Sequence, residues 1–204
     1  MIALGGDLRP ETLIDAYSKG IFPWPVDDYP LCWFSPHRRA ILRFEDLHVS
    51  RSLSKSRRRT NLTFTIDHDF RGVIASCASI PRKDQEGTWI LPEIEEAYVA
   101  LHEAGRAHSV EAWRGDRLVG GLYGVDAGGV FGGESMFYLE PDASKLALLF
   151  LIEHLASRGA TWIDVQIMTP HMRRLGAILI SRTRFLNLLG STQERALELF
   201  PPSS

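Results

Sequence analysis

Three closely spaced runs decide the fold: His108-Ser-Val-Glu-Ala-Trp113, Leu118-Val-Gly-Gly-Leu-Tyr-Gly-Val125 and Val130-Phe-Gly-Gly-Glu-Ser-Met-Phe-Tyr138. Turn sequences at Arg114-Gly-Asp-Arg117 and Asp126-Ala-Gly-Gly129 separate them, so they predict three successive strands. An apolar helix from Ala143 to Arg158 follows, with Asp142 or Ser144 as its cap and Gly159 as its stop. Thr161–Ile167 then predicts another strand. Upstream, Pro92 to Ala104 predicts a helix with Ile94, Ala97, Tyr98 and Leu101 on one face, and Leu62–Ile66 alternates as a strand. A first helix opens at Pro10 and stops at Gly20. Further helices are predicted near Pro170–Leu175 and Ser191–Leu199. Strands interleaved with capped helices imply an α/β (α+β) layer structure.

The chain has 204 residues, enough for one domain or one domain with a small neighbour. With 45% hydrophobic and 24% charged residues it excludes wholesale disorder. No apolar run reaches the roughly 18–20 residues of a membrane span, and the start lacks the blocks of a signal peptide. Cys32 and Cys77 form no CxxC pair and no disulfide framework. These features predict a cytoplasmic protein without structural zinc. The net charge of −2 conceals a local imbalance. Between His37 and Thr60, eight Arg/Lys face only Glu45 and Asp46, which makes that segment +6 and the remainder −8. Lys55-Ser-Arg-Arg-Arg59 attracts phosphates whatever the base sequence, although a solvated face explains such a cluster equally well. The composition shift near residue 60 predicts a small unit over 1–62 and a larger one over 63–204.

Trp162-Ile-Asp-Val-Gln-Ile167 is the segment richest in chemistry. Strand alternation puts Ile163, Val165 and Ile167 on one face, and Asp164 and Gln166 on the other, roughly 7 Å apart. A carboxylate and a carboxamide on an apolar strand either satisfy backbone groups or line a cleft. Gly132-Gly133 inside a strand predicts a bulge or a close approach, with Glu134 just beyond. Neither GxxxxGK[ST], GxGxxG, HExxH nor Gly-x-Ser-x-Gly is present, and the seven histidines lack metal-ligand spacing. Ser135 and Cys77 have no evident base, and structural roles suit His108 and His171. Trp24 and Trp89 fall in loop-like segments, where a ring stacks on a base for roughly 1–3 kcal/mol.

In order, the blocks Leu4-Gly-Gly-Asp-Leu8, Ala16-Tyr-Ser-Lys-Gly-Ile-Phe-Pro-Trp24, Trp33-Phe-Ser-Pro36, Gly87-Thr-Trp-Ile90, Ala107–Trp113, Val119–Val125, Gly133-Glu-Ser-Met-Phe137, Ala143-Ser-Lys145, Ile163-Asp-Val-Gln166 and Leu175-Gly-Ala177 resemble the leucyl/phenylalanyl-tRNA–protein transferase family of the N-degron pathway. The resemblance runs from residue 4 to about 189. It implies a GNAT-like C-terminal domain that receives aminoacyl-tRNA in place of acetyl-CoA. The implied reaction transfers Leu or Phe, and Met less well, to proteins beginning with Arg or Lys, without cofactor or metal. By motif, it implies a catalytic pair at Asp164 and Gln166 and a substrate-site glutamate at Glu134. Trp24 and Trp89 become the contacts of the terminal adenosine; Leu122, Phe131, Met136 and Leu151 become the side-chain pocket. Arg51, Lys55, Arg57, Arg58 and Arg59 fall where the tRNA acceptor stem is held. The chain departs from the pattern at Phe34, Val165, Tyr138 and the basic stretch Met172-Arg-Arg174.

A carboxamide cannot act as a base, so the expectation is that Asp164 orients Gln166, whose oxygen accepts a hydrogen bond from the attacking amine. The enzyme is expected to act as a monomer. Competing readings are a transferase with another acceptor (Asp/Glu N-termini or a peptidoglycan precursor), an acetyl-CoA-dependent N-acetyltransferase lacking the expected pyrophosphate loop, and a catalytically silent RNA-binding module.

Overall fold

The computed structural model describes residues 1–26, 29–80 and 89–201. In chain order the elements are β1 (Ala3–Leu4), α1 (Pro10–Ser18), β2 (Phe22–Pro23), β3 (Cys32–Phe34), β4 (Arg38–Arg43), α2 (Arg51–Arg59), β5 (Thr63–Ile66) and α3 (Phe70–Ser79). They continue with α4 (Pro92–Glu103), β6 (Ala107–Arg114), β7 (Arg117–Asp126), β8 (Phe131–Tyr138), α5 (Ala143–Ser157), β9 (Trp162–Gln166), α6 (Pro170–Arg174), β10 (Ile178–Ser181) and α7 (Arg182–Gln193).

The principal sheet has seven strands in the order β10-β4-β9-β8-β7-β6-β5, and a small sheet has the order β1-β3-β2. The predicted run of three strands is the antiparallel meander β6-β7-β8. Helix α5 then crosses over to set β9 parallel to β8, the geometry that a strand–helix–strand unit requires. The α/β expectation is therefore met. Strand β4 precedes residue 62 yet lies between β9 and β10, so the stretches on either side of the expected boundary share one sheet.

Both faces of the sheet are covered. One carries Leu13 and Tyr17 of α1, Val73 and Ile74 of α3, Tyr98 and Leu101 of α4, and Phe185 of α7 against Ile41, Tyr123 and Trp162. The other carries Leu53 of α2 and the apolar side of α5 against Val110, Leu122, Phe131 and Ile163. Alternation along each strand distributes side chains between these two cores. Burying one such aliphatic side chain stabilises the fold by about 1.5–3 kcal/mol.

The last predicted helix, Ser191–Leu199, is corrected. The helix is α7, which starts nine residues earlier and spans Arg182–Gln193, capped by the Ser181 side chain accepting from Arg184 N–H at 3.3 Å. Gly190 looks like a stop but lies inside the helix with open space where a Cβ would stand, so nothing ends the helix there. The basic stretch is itself a helix, α2, capped by Ser50. Asp142 does sit at the start of α5, but its backbone is left-handed (φ +65°) and its carboxylate pairs with Lys145 at 2.6 Å instead of capping.

Candidate active site

The bulge predicted by Gly132-Gly133 lies one residue later. Tyr123 pairs with Ser135 and Gly124 with Gly133, which leaves Glu134 as the extra residue of β8. A glycine is required opposite it, because a Cβ on Gly124 would stand 2.2 Å from the Gly132 carbonyl oxygen. The bulge re-aims the Glu134 side chain toward the opening between β8 and β9. These two strands pair at Gly132 and Asp164, and residues beyond that point on both line a cavity.

That cavity has a volume of about 400 Å³ and is mainly apolar. Leu122, Phe131, Met136 and Leu151 all line it, together with Glu134. Ile163, Val165 and Ile167 also face it, as strand alternation predicts. The volume suits a single amino-acid side chain and its acyl carbon, within the lower range of small-molecule sites.

Asp164 lies on the face of β9 opposite the cavity, as strand alternation predicts. It is 5% exposed and held by Arg39, a member of the basic segment. Arg39 is 1% exposed. Its Nε donates to Asp164 Oδ1 at 2.9 Å and its Nη2 to Oδ2 at 2.6 Å, a bidentate fork. Its Nη1 donates to the Gly20 carbonyl at 3.2 Å, while Phe22 and Phe185 cover the guanidinium at 4.7 and 4.5 Å. The physical reason for this pairing is charge: a carboxylate on an apolar strand must find a buried cation or leave the interior. The only sequence signal was the pattern Arg38-Arg39-Ala-Ile-Leu42, in which the second arginine lies within an otherwise apolar strand.

Asp164 does orient Gln166, but through the backbone. Its Oδ1 accepts from the Gln166 N–H at 2.9 Å, holding a residue whose φ is +57°. A non-glycine residue at positive φ carries strain of order 1–3 kcal/mol and persists only where the surroundings impose it. A bulge at the end of β9, where the register against Ala40 and Ile41 shifts, accompanies it. The carboxamide instead belongs to Glu134: Gln166 Nε2 donates to Glu134 Oε1 at 2.5 Å. With Nε2 so engaged, the Gln166 carbonyl oxygen is the acceptor of this amide.

Two tyrosines complete the cluster. Tyr17 and Tyr98 share a short hydroxyl–hydroxyl contact, and the Tyr98 hydroxyl donates to Glu134 Oε2 at 3.4 Å. Burial pushes the Glu134 carboxyl from 4.5 up to about 7, against the opposing influence of hydrogen bonds from Tyr17 and Gln166. The nearby Asp164 charge raises it further and Arg39 lowers it. Burial and the Glu134 charge hold both phenols well above their ordinary value, so they are neutral donors. In sequence Tyr98 stands only as an apolar-face residue of its helix and Tyr17 only within the stretch Ala16–Trp24.

Trp24 and Trp89 come together, stacked at 5.3 Å between centroids with their planes 13° apart. Phe22 touches Trp24 edge-on at 6.5 Å and also covers Arg39, which links the pair to Asp164. Gly87 and Thr88 of the corresponding sequence block lie outside the described residues. The basic residues Arg51, Lys55, Arg57, Arg58 and Arg59 are all exposed on α2. Arg57 is ion-paired with Glu153, while Lys55 and Arg59 line a depression of about 430 Å³ with Arg114 and Asp142. Among the described residues no group of three or more His, Cys, Asp or Glu is placed to hold a metal ion, and no helix is long and apolar enough to cross a membrane.

An acyl-sized apolar cavity with an amide–carboxyl pair at its rim is the equipment of an acyltransferase. The family comparisons define the particular one. Residues 6–37 match the leucyl/phenylalanyl-tRNA protein transferase N-terminal domain, and residues 41–190 match the leucyl/phenylalanyl-tRNA protein transferase family model. A leucyl/phenylalanyl-tRNA–protein transferase of Hydrogenovibrio crunogenus is 51% identical over 93% of this chain and 74% of its own length. Relatives of the same description from Shewanella sp. (strain W3-18-1) and Anaeromyxobacter sp. (strain Fw109-5) are 49% and 50% identical, over 98% and 96% of this chain and 84% and 83% of theirs. The chain belongs to the leucyl/phenylalanyl-tRNA–protein transferase family. It is an aminoacyltransferase that moves an aminoacyl group from tRNA to protein N-termini. The acetyl-CoA and silent RNA-binding readings end with this assignment.

Proposed function

We propose that the protein transfers Leu or Phe, and Met less readily, to acceptors that begin with Arg or Lys, marking them for degradation. The observation that carries this reading is the cavity in which Leu122, Phe131, Met136 and Leu151 meet the Glu134–Gln166 pair. The aminoacyl side chain enters the apolar wall, and its ester carbon stands at the strand opening. Glu134, when ionised, pairs with an ammonium group there. The Gln166 oxygen accepts a hydrogen bond from the attacking α-amine, and Trp24 with Trp89 provides the stacking surface for the terminal adenosine.

Ester to amide is downhill, so the chain must supply orientation and a proton path rather than energy. An α-amine has a pKa of about 7.7–8.0, which leaves a useful neutral fraction near pH 7. Fixing its nitrogen against the ester supplies much of the rate. As the C–N bond forms, the ester C–O bond breaks, and the amine proton passes to the leaving ribose oxygen through a hydroxyl or water. Asp164 is a positioning residue: it sets the Gln166 backbone and neutralises Arg39. The GNAT-like description of the strand opening belongs to this reading, as do a monomeric enzyme, its action in the cytoplasm, and α2 as the acceptor-stem surface.

The test uses labelled Leu-tRNA and Phe-tRNA with peptides that begin with Arg, Lys or Asp. Transfer to Arg and Lys peptides alone is expected. Replacing Gln166 by Ala lowers kcat with donor binding nearly intact; full turnover in that variant refutes the role given to Gln166, and transfer to Asp peptides refutes the acceptor class.

A further inference from the structure

From Val165 to Gln193 the chain contains Arg173, Arg174, Arg182 and Arg184 and no acidic residue. Arg173 and Arg174 end α6, are exposed, and make no ion pair or side-chain hydrogen bond with any described residue. Some exposed cations find acids, as Arg9 does with Asp7, Lys19 with Asp15, Arg71 with Glu96 and Arg117 with Glu140, whereas Arg51, Lys55, Arg58 and Arg59 of α2, like Arg173 and Arg174, make no ion pair with any described residue. Two adjacent guanidinium groups left without a counter-charge repel one another and favour an anion supplied from outside.

Their position is specific. Thr169, His171 and Met172 of the α6 region line the acyl cavity, while Arg173 and Arg174 line the recess on the outer side of the same turn with Met168 and Pro170. The residue that closes α6 is bonded to the segment entering α2, His48 N–H donating to the Leu175 carbonyl at 2.9 Å. Burial, and after it the charges of Lys145 on the first turn of α5 and of Arg174, hold the His171 imidazole below its ordinary value. Basic side chains therefore stand on α2, on the first turn of α5, where Lys145 is paired with Asp142, and on α6 beside the cavity.

We propose that Arg173 and Arg174 bind phosphates of the single-stranded 3′ end of the aminoacyl-tRNA and lead it from α2 into the cavity. The inference rests on the reading of α2 as the acceptor-stem surface and of the cavity as the aminoacyl site. An aminoacyl group esterified to a terminal nucleotide can reach a 400 Å³ recess only if the strand that carries it is unpaired, and in this proposal the phosphates of that strand pass over the α6 region, whose Thr169, His171 and Met172 line the recess. Arg suits this task through its planar fork, which binds phosphate with two parallel hydrogen bonds.

The test compares the wild type with Arg173→Ala/Arg174→Ala on three donors: leucyl-tRNA, a leucylated single-stranded tetranucleotide, and leucyl-adenosine. The double variant is expected to lose kcat/KM with the first two and keep it with leucyl-adenosine. The exponent of its salt dependence falls by about 1.4, at about 0.7 for each single-strand phosphate contact. Referred to 1 M salt, this is about a 25-fold loss at 0.1 M. Arg173→Lys/Arg174→Lys, which keeps the charge, recovers most of it. Arg51→Ala/Arg58→Ala/Arg59→Ala is expected to lose activity with leucyl-tRNA and retain it with the tetranucleotide. An unaltered salt exponent with the tetranucleotide overturns the proposal, and so does an equal loss with leucyl-adenosine, which would place α6 in cavity geometry alone. Wild-type inactivity with all three donors would instead overturn the cavity assignment, and this inference with it.

Discussion

Glu134→Gln separates the energetic cost of the active site from its use. The Glu134 carboxyl is raised to about 7 from 4.5, chiefly by burial. Between those values the folded protein retains a proton that the unfolded chain has released. The contribution of Glu134 to stability is therefore greatest below about pH 4.5, declines as pH rises, and reaches its full penalty above about pH 7. Two and a half pH units at about 1.4 kcal/mol each make this penalty up to about 3 kcal/mol. Glutamine has nearly the same volume and does not titrate; its one oxygen accepts from Gln166 and its NH2 donates to the Tyr98 hydroxyl, an exchange that is the same at every pH. The stability of the variant relative to the wild type should thus rise by up to about 3 kcal/mol between pH 4.5 and 8. Urea unfolding of both proteins at matched pH measures this, because every other titrating group cancels in the difference. The variant should at the same time lose the limb near pH 7 in the kcat/KM profile and most of its activity, as expected when charge at a functional site is bought with stability. A stability difference that is flat across pH 5–8 refutes the placement of Glu134 in a desolvated cluster.

Three further outcomes follow from the same geometry. Arg39→Met leaves the Asp164 carboxylate buried without a partner, and should cost about 3–5 kcal/mol, or roughly 6–20 °C in Tm for a chain of this size. Adding Asp164→Leu should restore much of that loss, and a single-variant loss under about 1 kcal/mol would contradict a desolvated pair. Trp24→Ala should raise KM for aminoacyl-tRNA by roughly 5–150-fold, the equivalent of one lost stacking contact of about 1–3 kcal/mol, with kcat at saturation unchanged; an unaltered KM would remove Trp24 from the donor site. Leu151→Phe narrows the cavity and should favour Leu over Phe by roughly tenfold or more in competition assays, whereas an unchanged ratio would mean that the side chain binds elsewhere.

Much of the fold was legible along the chain because its signals are local. The meander from Ala107 to Tyr138, the apolar helix α5 and strand β9 each carry their own periodicity and turn residues. Strand β4 and helix α3 were not picked out. β4 is a central strand buried on both sides, and its apolar run is too short to be told from loop or helix. Gly72 interrupts the pattern of α3, and only the Asp69 side chain accepting from its N–H at 2.9 Å marks the start of that helix. Helix α7 was displaced because a glycine without crowding neighbours looks the same in sequence as one that ends a helix.

The amino-acid order alone determined the strands that carry the site, the shared face of Ile163, Val165 and Ile167, and the place of Glu134 just past two glycines, since strand alternation and glycine placement act over a few residues. Only the tertiary structure decided how those groups are charged and connected. Arg39 reaches Asp164 across 125 positions of sequence, and Tyr98 reaches Glu134 across 36. Desolvation and ion pairing depend on neighbours that the folded sheet brings together, and no local pattern encodes them.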